Sequence, residues 1–217
     1  MMTTKAMILA SGRGERMMPI TQDIPKPMLK IGDVTLIEDK ILRLAESGIT
    51  EIIINVAYLG NQIIDHVGDG SKYGIKIIVS NEGEIPIGTG NGVRKVLDHF
   101  NEQPFLIVNA DIWTNYLFID LEKKLSTNAL AHIVLINNPE HHQGDFSLND
   151  GDIVKGSNFT FSGIGIYTPK LFQIHNEKEL GDILKKEKNI TGELYEGLWH
   201  DIGTPERLNK IRTICSI

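Results

Sequence analysis

Four short apolar runs, separated by three segments with helical spacing, constrain this chain more than any other feature. Ala6-Met7-Ile8-Leu9-Ala10, Glu51 to Val56, Ile75 to Val79 and Phe105-Leu106-Ile107-Val108 read as strands covered on both faces. Between the first two, Leu36, Ile37, Ile41, Leu44 and Ala45 recur at helical spacing, and Gly48 is placed to end that helix. Leu59, Ile63, Ile64 and Val67 mark a second helix, and Thr89 to Phe100 reads as a third. Strands joined through helices of this length imply right-handed crossovers and a largely parallel sheet.

The second half has another rhythm. Leu130 to Ile136 reads as a strand, Gly144 to Lys155 as a polar hairpin turning at Asn149-Asp150-Gly151, and Phe159 to Tyr167 as a further strand. Phe159, Phe161 and Gly163 should share one face of that strand. Pro169 to Phe172 and Glu179 to Lys188 read as helical. The last helix starts with Thr204 as N-cap, Pro205 at the first position and Glu206 in the first turn. A parallel α/β half therefore meets a more antiparallel half, and a ligand belongs outside the carboxyl ends of the parallel strands. No repeat or Pro/Ser-rich linker interrupts the chain, so residues 1–217 are expected to form one domain.

Composition narrows the function. Twenty-two Lys and Arg against 28 Asp and Glu give a net charge of −6, which disfavours nucleic-acid and anionic-membrane binding. The N-terminus lacks a signal-peptide pattern, no apolar run is long enough to span a bilayer, and Cys215 has no cysteine to pair with. A cytoplasmic protein is expected, with the sequons at Asn158 and Asn189 arising by chance.

The first strand runs into Ser11-Gly12-Arg13-Gly14-Glu15-Arg16-Met17. Close glycines after a buried strand let backbone N–H groups approach a phosphate chain. The dinucleotide fingerprint would need glycine where Met17 stands and an acid where the second strand ends at Asn55, which weakens a nicotinamide oxidoreductase. A phosphate-loop NTPase would need Gly-Lys-Ser/Thr, which is absent. What the loop has is cations: Arg16, and Lys26 pinned between Pro25 and Pro27. Together they favour polyphosphate binding over a plain turn. Asp111, after the fourth strand, lies at the ligand edge of the sheet, and Asp201 stands in Trp199-His200-Asp201-Ile202-Gly203. Spacing alone does not show that these acids meet. His141 and His142 are neighbours in a loop, an arrangement that seldom aims both rings at one ion, while Trp113 and Tyr116 read as packing residues.

Ile8-Leu9-Ala10-Ser11-Gly12-Arg13-Gly14-Glu15-Arg16-Met17 followed by Pro25-Lys26-Pro27-Met28 resembles the signature of the sugar-1-phosphate nucleotidyltransferases. Asn109-Ala110-Asp111 and Trp199-His200-Asp201-Ile202-Gly203-Thr204 resemble that family's two metal-binding segments, with Ala110 where members usually have glycine. His66-Val67-Gly68-Asp69-Gly70-Ser71-Lys72-Tyr73-Gly74 is a further similar segment. The resemblance implies a three-layer, mostly parallel, Rossmann-like (GT-A-like) α/β sheet with an antiparallel C-terminal portion. It implies Arg16 and Lys26 as catalytic cations and Asp111 and Asp201 as ligands of Mg²⁺. It places Ala10, Gly12, Gly14, Glu15, Thr89, Gly90, Asn109, Asp145 and Gly163 along the nucleotide or sugar pocket.

Within the family, Ser80-Asn81-Glu82-Gly83-Glu84, Asn137 to His142 with Gly144-Asp145-Phe146, and Thr160 to Ile164 are similar to uridylyltransferases of cell-wall recycling. UTP and N-acetylmuramate 1-phosphate are then the implied substrates. The segment Ile85 to Gly92 is one residue longer than in those enzymes and leans towards guanylyltransferases. A heptose or hexose 1-phosphate guanylyltransferase therefore stays open, as does a catalytically silent nucleotide-sugar-binding subunit.

Overall fold

The computed structural model describes residues 5–215. Its first strand, β1 (Lys5–Leu9), lies inside the sheet with β4 (Glu51–Val56) on one side and β6 (Phe105–Asn109) on the other, both parallel to it. Two short strands, β2 (Lys30–Ile31) and β3 (Val34–Thr35), form a separate small hairpin before α1 (Leu36–Glu46). Thr35 caps α1 through a capping box with Glu38, and Gly48 follows its end in a left-handed conformation. The helix α2 (Gly60–Val67) leads to β5 (Lys76–Asn81), which pairs parallel to β4. Between them the Gly68 to Gly74 segment is a turn that seats Tyr73 on Glu38 of α1 at 3.3 Å, where His66 at the end of α2 also reaches Glu38 at 3.2 Å.

The chain then passes back over β1 through α3 (Thr89–Lys95) to reach β6, so the strand order reverses at β1. That reversal opens the crevice where open α/β sheets take their ligands. The expected helix from Thr89 to Phe100 is shorter: it stops at Lys95, Val96 leaves helical geometry, and a 3-10 turn over Leu97–Phe100 follows. The tighter turn stacks Phe100 on Phe105, ring centroids 3.6 Å apart.

After β7 (Ile112–Thr114) and α4 (Leu121–Lys124), the second half extends the same sheet with β8 (Ala131–Asn137), β9 (Phe146–Asn149) and β10 (Asp152–Tyr167). The Asp150-Gly151 turn has φ of 48° and 88°, as a tight hairpin requires. The hairpin arm and the strand expected from Phe159 to Tyr167 prove to be one 16-residue strand. Its pairing with β8 shifts register between Phe161 and Gly165, so the alternation expected at Phe159, Phe161 and Gly163 breaks at Gly163. β10 runs antiparallel to β6 and joins the two halves.

Helix α5 (Pro169–Ile174) and helix α6 (Leu180–Lys186) precede β11 (Ile190–Leu194), which pairs parallel to β8 at the sheet edge. Last come β12 (Trp199–Asp201) and α7 (Pro205–Cys215), the latter capped by the Thr204 hydroxyl, which accepts from the Arg207 backbone N–H. Separate apolar cores fill the two faces of the sheet. A smaller one, including Met17, Leu36, Trp113, Ile202 and Leu208, lies where the loop after β1, α1 and α7 converge. Among the described residues, no helix is long and apolar enough to cross a membrane.

Candidate active site

The loop after β1 is held from below by Asn55, a fully buried amide in β4. Its Oδ1 accepts from the Ala10 backbone N–H at 2.9 Å, and its Nδ2 donates to Ser11 Oγ at 3.0 Å and Glu82 Oε1 at 2.7 Å. A buried amide with both ends satisfied fixes the backbone it touches. Gly14 turns the loop at φ 65°, and its carbonyl accepts from Thr21 Oγ1 and the Met17 N–H, each at 2.8 Å. A Cβ there would lie 3.1 Å from Lys26 Cβ and 3.2 Å from Thr21 Cγ2, so a side chain is strained on both counts. Buried Met17 then anchors a 3-10 turn that leaves Glu15 and Arg16 exposed.

These residues border a cavity of about 810 Å³ over the carboxyl ends of β1 and β6. Ala10, Gly12, Gly14, Glu15, Arg16, Lys26, Thr89, Asn109 and Asp111 all line it. Arg16 has no ion-pair or hydrogen-bond partner among the described residues. Lys26 is buried in a second 3-10 turn between two prolines, and its Nζ lies 2.6 Å from Asp111 Oδ2. Asp111 stands two residues past the last residue of β6, after Ala110, whose N–H donates to the Leu9 carbonyl and ties the strand end to β1.

The backbone that carries Asp201 lies beside that of Asp111 through a pairing that sequence spacing does not reveal. β12 runs antiparallel to β7, and the Ile202 N–H donates to the Asp111 carbonyl at 2.8 Å. Asp201 lines a second cavity of about 440 Å³ with His141, Trp199 and Arg207. Arg207 Nη1 lies 2.6 Å from Asp201 Oδ1 and 2.5 Å from Oδ2, and His141 Nε2 is 3.1 Å from Oδ1. His142 turns the other way: its Nδ1 accepts from the Gly144 N–H at 3.0 Å. Among the described residues, no three His, Cys, Asp or Glu side chains converge as a metal cluster. Two carboxylates on adjoining strand ends are nonetheless the hard oxygen donors Mg²⁺ takes, since phosphate and water complete its shell.

Other expected positions stand further back. Gly163, at φ 81°, leaves room for Asn109, whose Nδ2 would lie 2.6 Å from a Cβ at that position. The Asp145 carboxylate accepts from the Phe161 N–H at 3.0 Å and so braces the irregular part of β10. Gly90 is buried, and its N–H donates to the Lys178 carbonyl at 2.8 Å. Thr89 gives its N–H and hydroxyl to Glu179 Oε2, at 3.1 and 2.9 Å. The start of α3 is thus closed by residues 178–179 from the other half of the chain. Trp113 and Tyr116 are buried among aromatic neighbours, in keeping with packing roles.

Asn55, Glu82, Glu179 and Arg207 support the site although the sequence assigned none of them a place in it. An amide inside the otherwise apolar Glu51 to Val56 run was the one local sign for Asn55. Arg207 shows only as the basic residue three positions after Thr204, and only the fold gives it Asp201 as a partner.

Beneath the site, Lys40 is fully buried and pairs with Asp39 at 2.8 Å, while Arg43 holds the other Asp39 oxygen at 2.9 Å. Burial pushes the Lys40 ammonium below its ordinary pKa against the pull of Asp39. His200 is likewise lowered, first by burial and then by Lys210.

A glycine loop with an unpartnered arginine and a lysine–aspartate pair line one cavity at the strand reversal, and a second carboxylate, Asp201, lines the neighbouring cavity. The chain belongs to the nucleotidyl transferase family, whose model matches residues 5–146. It is 40% identical to the N-acetylmuramate alpha-1-phosphate uridylyltransferase of Neisseria meningitidis serogroup B, over 97% of each chain. It is 31% identical to the bifunctional protein GlmU of Methanococcus aeolicus, where 92% of this chain spans about half (51%) of the relative. In three dimensions it is similar to HddC from Yersinia pseudotuberculosis, with a TM-score of 0.82, 21% identity and coverage of 98% and 99%. That likeness speaks for the fold.

Proposed function

We propose that this protein transfers a uridylyl group from UTP to N-acetylmuramate 1-phosphate, releasing pyrophosphate, as a single catalytic domain over residues 1–217. The observation that carries this reading is the end-to-end likeness to the meningococcal uridylyltransferase, joined to a cavity bordered by Arg16, Lys26 and Asp111. A cytoplasmic location belongs to the same reading, because nucleoside triphosphates are supplied there.

The reaction is an in-line displacement at the α-phosphorus of the triphosphate. The acceptor phosphate is already an anion at neutral pH, so no general base is needed. The barrier comes from bringing two anions together and from charge gathering on the leaving group. Arg16 offsets that charge from the loop, and Lys26 does so from a turn whose prolines fix it before substrate arrives. Asn55 and Glu82 keep the loop backbone in place. Asp111 and Asp201 are the residues to hold Mg²⁺, which when bound supplies charge neutralisation and orientation for the phosphates. Arg207 and His141 hold the Asp201 carboxylate at the border of the second cavity, which is suited to the acceptor.

The test is pyrophosphate release with Mg²⁺, crossing UTP, GTP, CTP and dTTP with N-acetylmuramate, mannose and heptose 1-phosphates. Release confined to UTP and N-acetylmuramate 1-phosphate is expected. Release with GTP and a heptose or mannose phosphate would replace the substrates and keep the mechanism. Silence across the grid would favour a nucleotide-sugar-binding subunit.

A further inference from the structure

Arg13 stands between the two loop glycines, is exposed and lines the larger cavity. Among the described residues it has no carboxylate partner, although the chain carries six more acidic than basic side chains. Its guanidinium lies over the ring of Tyr58, 5.1 Å from the centroid. That ring is itself fixed, because Tyr58 OH donates to the Gln22 carbonyl at 2.7 Å. A cation over an aromatic face is held by the charge distribution of the ring rather than by a hydrogen bond to an acceptor, so the contact holds Arg13 while leaving donors for a ligand.

Topology says which part of the substrate those donors meet. Tyr58 follows β4, on one side of β1, whereas Asn109 ends β6, on the other side, and Asp111 and the separate β7–β12 pair that carries Asp201 follow β6 in the chain. In an in-line displacement the attacking and leaving groups lie on opposite sides of the reacting phosphorus. With the acceptor on the β6 side, the leaving group faces the glycine loop and Tyr58.

We propose that Arg13 contacts the leaving pyrophosphate, and that Tyr58 is its positioning residue. This rests on the nucleotidyl-transfer reading given above. In the step itself, an acceptor phosphate oxygen bonds to the α-phosphorus as the bond from that phosphorus to the α–β bridging oxygen breaks. The bridging oxygen keeps the electron pair, and pyrophosphate departs with it. No proton transfer is required, so a cation on the leaving side is the group that the step calls for.

The reverse reaction tests this, because pyrophosphate and nucleotide sugar are then separate substrates whose KM values are read independently. Arg13→Gln is expected to raise the KM for pyrophosphate about 10- to 100-fold, the effect of losing a hydrogen bond to a charged group. The KM for the nucleotide sugar should stay within about twofold, inside the scatter of a neutral surface change. Tyr58→Leu should raise the pyrophosphate KM about two- to fivefold, the size of an exposed cation–π contact, and Tyr58→Phe, which keeps the aromatic face and loses only the bond to Gln22, should raise it by less. In the Arg13→Gln background, Tyr58→Leu should add nothing. Calorimetric titration of the protein with inorganic pyrophosphate gives a readout independent of turnover and should weaken in Arg13→Gln.

An unchanged pyrophosphate KM in Arg13→Gln would overturn the assignment, and so would equal rises in both KM values. A Tyr58→Leu effect that persists without Arg13 would overturn the positioning role. Failure of the unaltered protein to consume pyrophosphate with any nucleotide sugar would instead bring down the nucleotidyl-transfer reading itself.

Discussion

Replacing Lys26 by Met separates what this residue contributes to chemistry from what it contributes to folding. The methionine keeps most of the aliphatic stem in a site where the lysine side chain is only 10% exposed. It removes the ammonium 2.6 Å from Asp111 Oδ2. In the resting protein that pair is screened, because the Asp111 side chain is 40% exposed, and such a pair is worth about 1 kcal/mol or less. In a domain of this size the loss corresponds to about 2–4 °C in Tm. In the substrate complex the cavity is filled and water is displaced. At an effective dielectric constant of about 20, a cation about 4 Å from a phosphate oxygen is worth about 4 kcal/mol. Losing one such preorganised group costs about 10²- to 10³-fold in rate. Lys26→Met should therefore lower kcat/KM for the triphosphate by about 10²- to 10³-fold while Tm falls by only about 2–4 °C. Steady-state pyrophosphate release and thermal unfolding on the same preparation decide it. A loss of activity under about tenfold would refute the charge role, since that is less than one charged hydrogen bond. An activity loss matched by collapse of Tm would assign Lys26 to folding.

Four further outcomes follow from the same geometry. Arg16→Ala should abolish most turnover with an unchanged Tm, because its side chain is exposed and unpartnered, and near-normal turnover would remove it from the mechanism. Asp111→Asn should lose Mg²⁺-dependent pyrophosphate release, and activity of the parent protein in excess chelator would contradict the carboxylate assignment. Gly163→Ala should cost about 1–2 kcal/mol for a left-handed non-glycine residue and displace Asn109, read as a lower Tm together with a higher acceptor KM. His132 is held below its ordinary 6.5, chiefly by burial, so the unfolded chain takes up its proton more readily. Its stabilising contribution is present above about pH 6.5 and lost as pH falls, and His132→Gln should flatten the drop in Tm between about pH 7 and 5.

What could be read from the sequence was local. The four buried strands, the glycine after α1, the capped start of α7 and the Asp150-Gly151 turn each rest on residues within one or two turns of one another. The glycine loop and the prolines around Lys26 are local as well, which is why the phosphate end of the site was visible without coordinates. The break at Val96 and the fusion of two expected strands into β10 were not visible, because each answers to partners far away in sequence. Phe105 draws Phe100 into its turn, and Asn109 needs the space that Gly163 leaves. The backbone segments of Asp111 and Asp201 are joined by a hydrogen bond between positions 91 residues apart, from Ile202 to Asp111. Arg207 and Glu179 acquired roles in the same way, through a carboxylate and a helix start that other elements bring to them. Residue types alone determined that the chain carries cations and carboxylates suited to polyphosphate. Only tertiary structure decided which charges share one crevice, because electrostatics acts over a few ångströms of space whatever the distance along the chain.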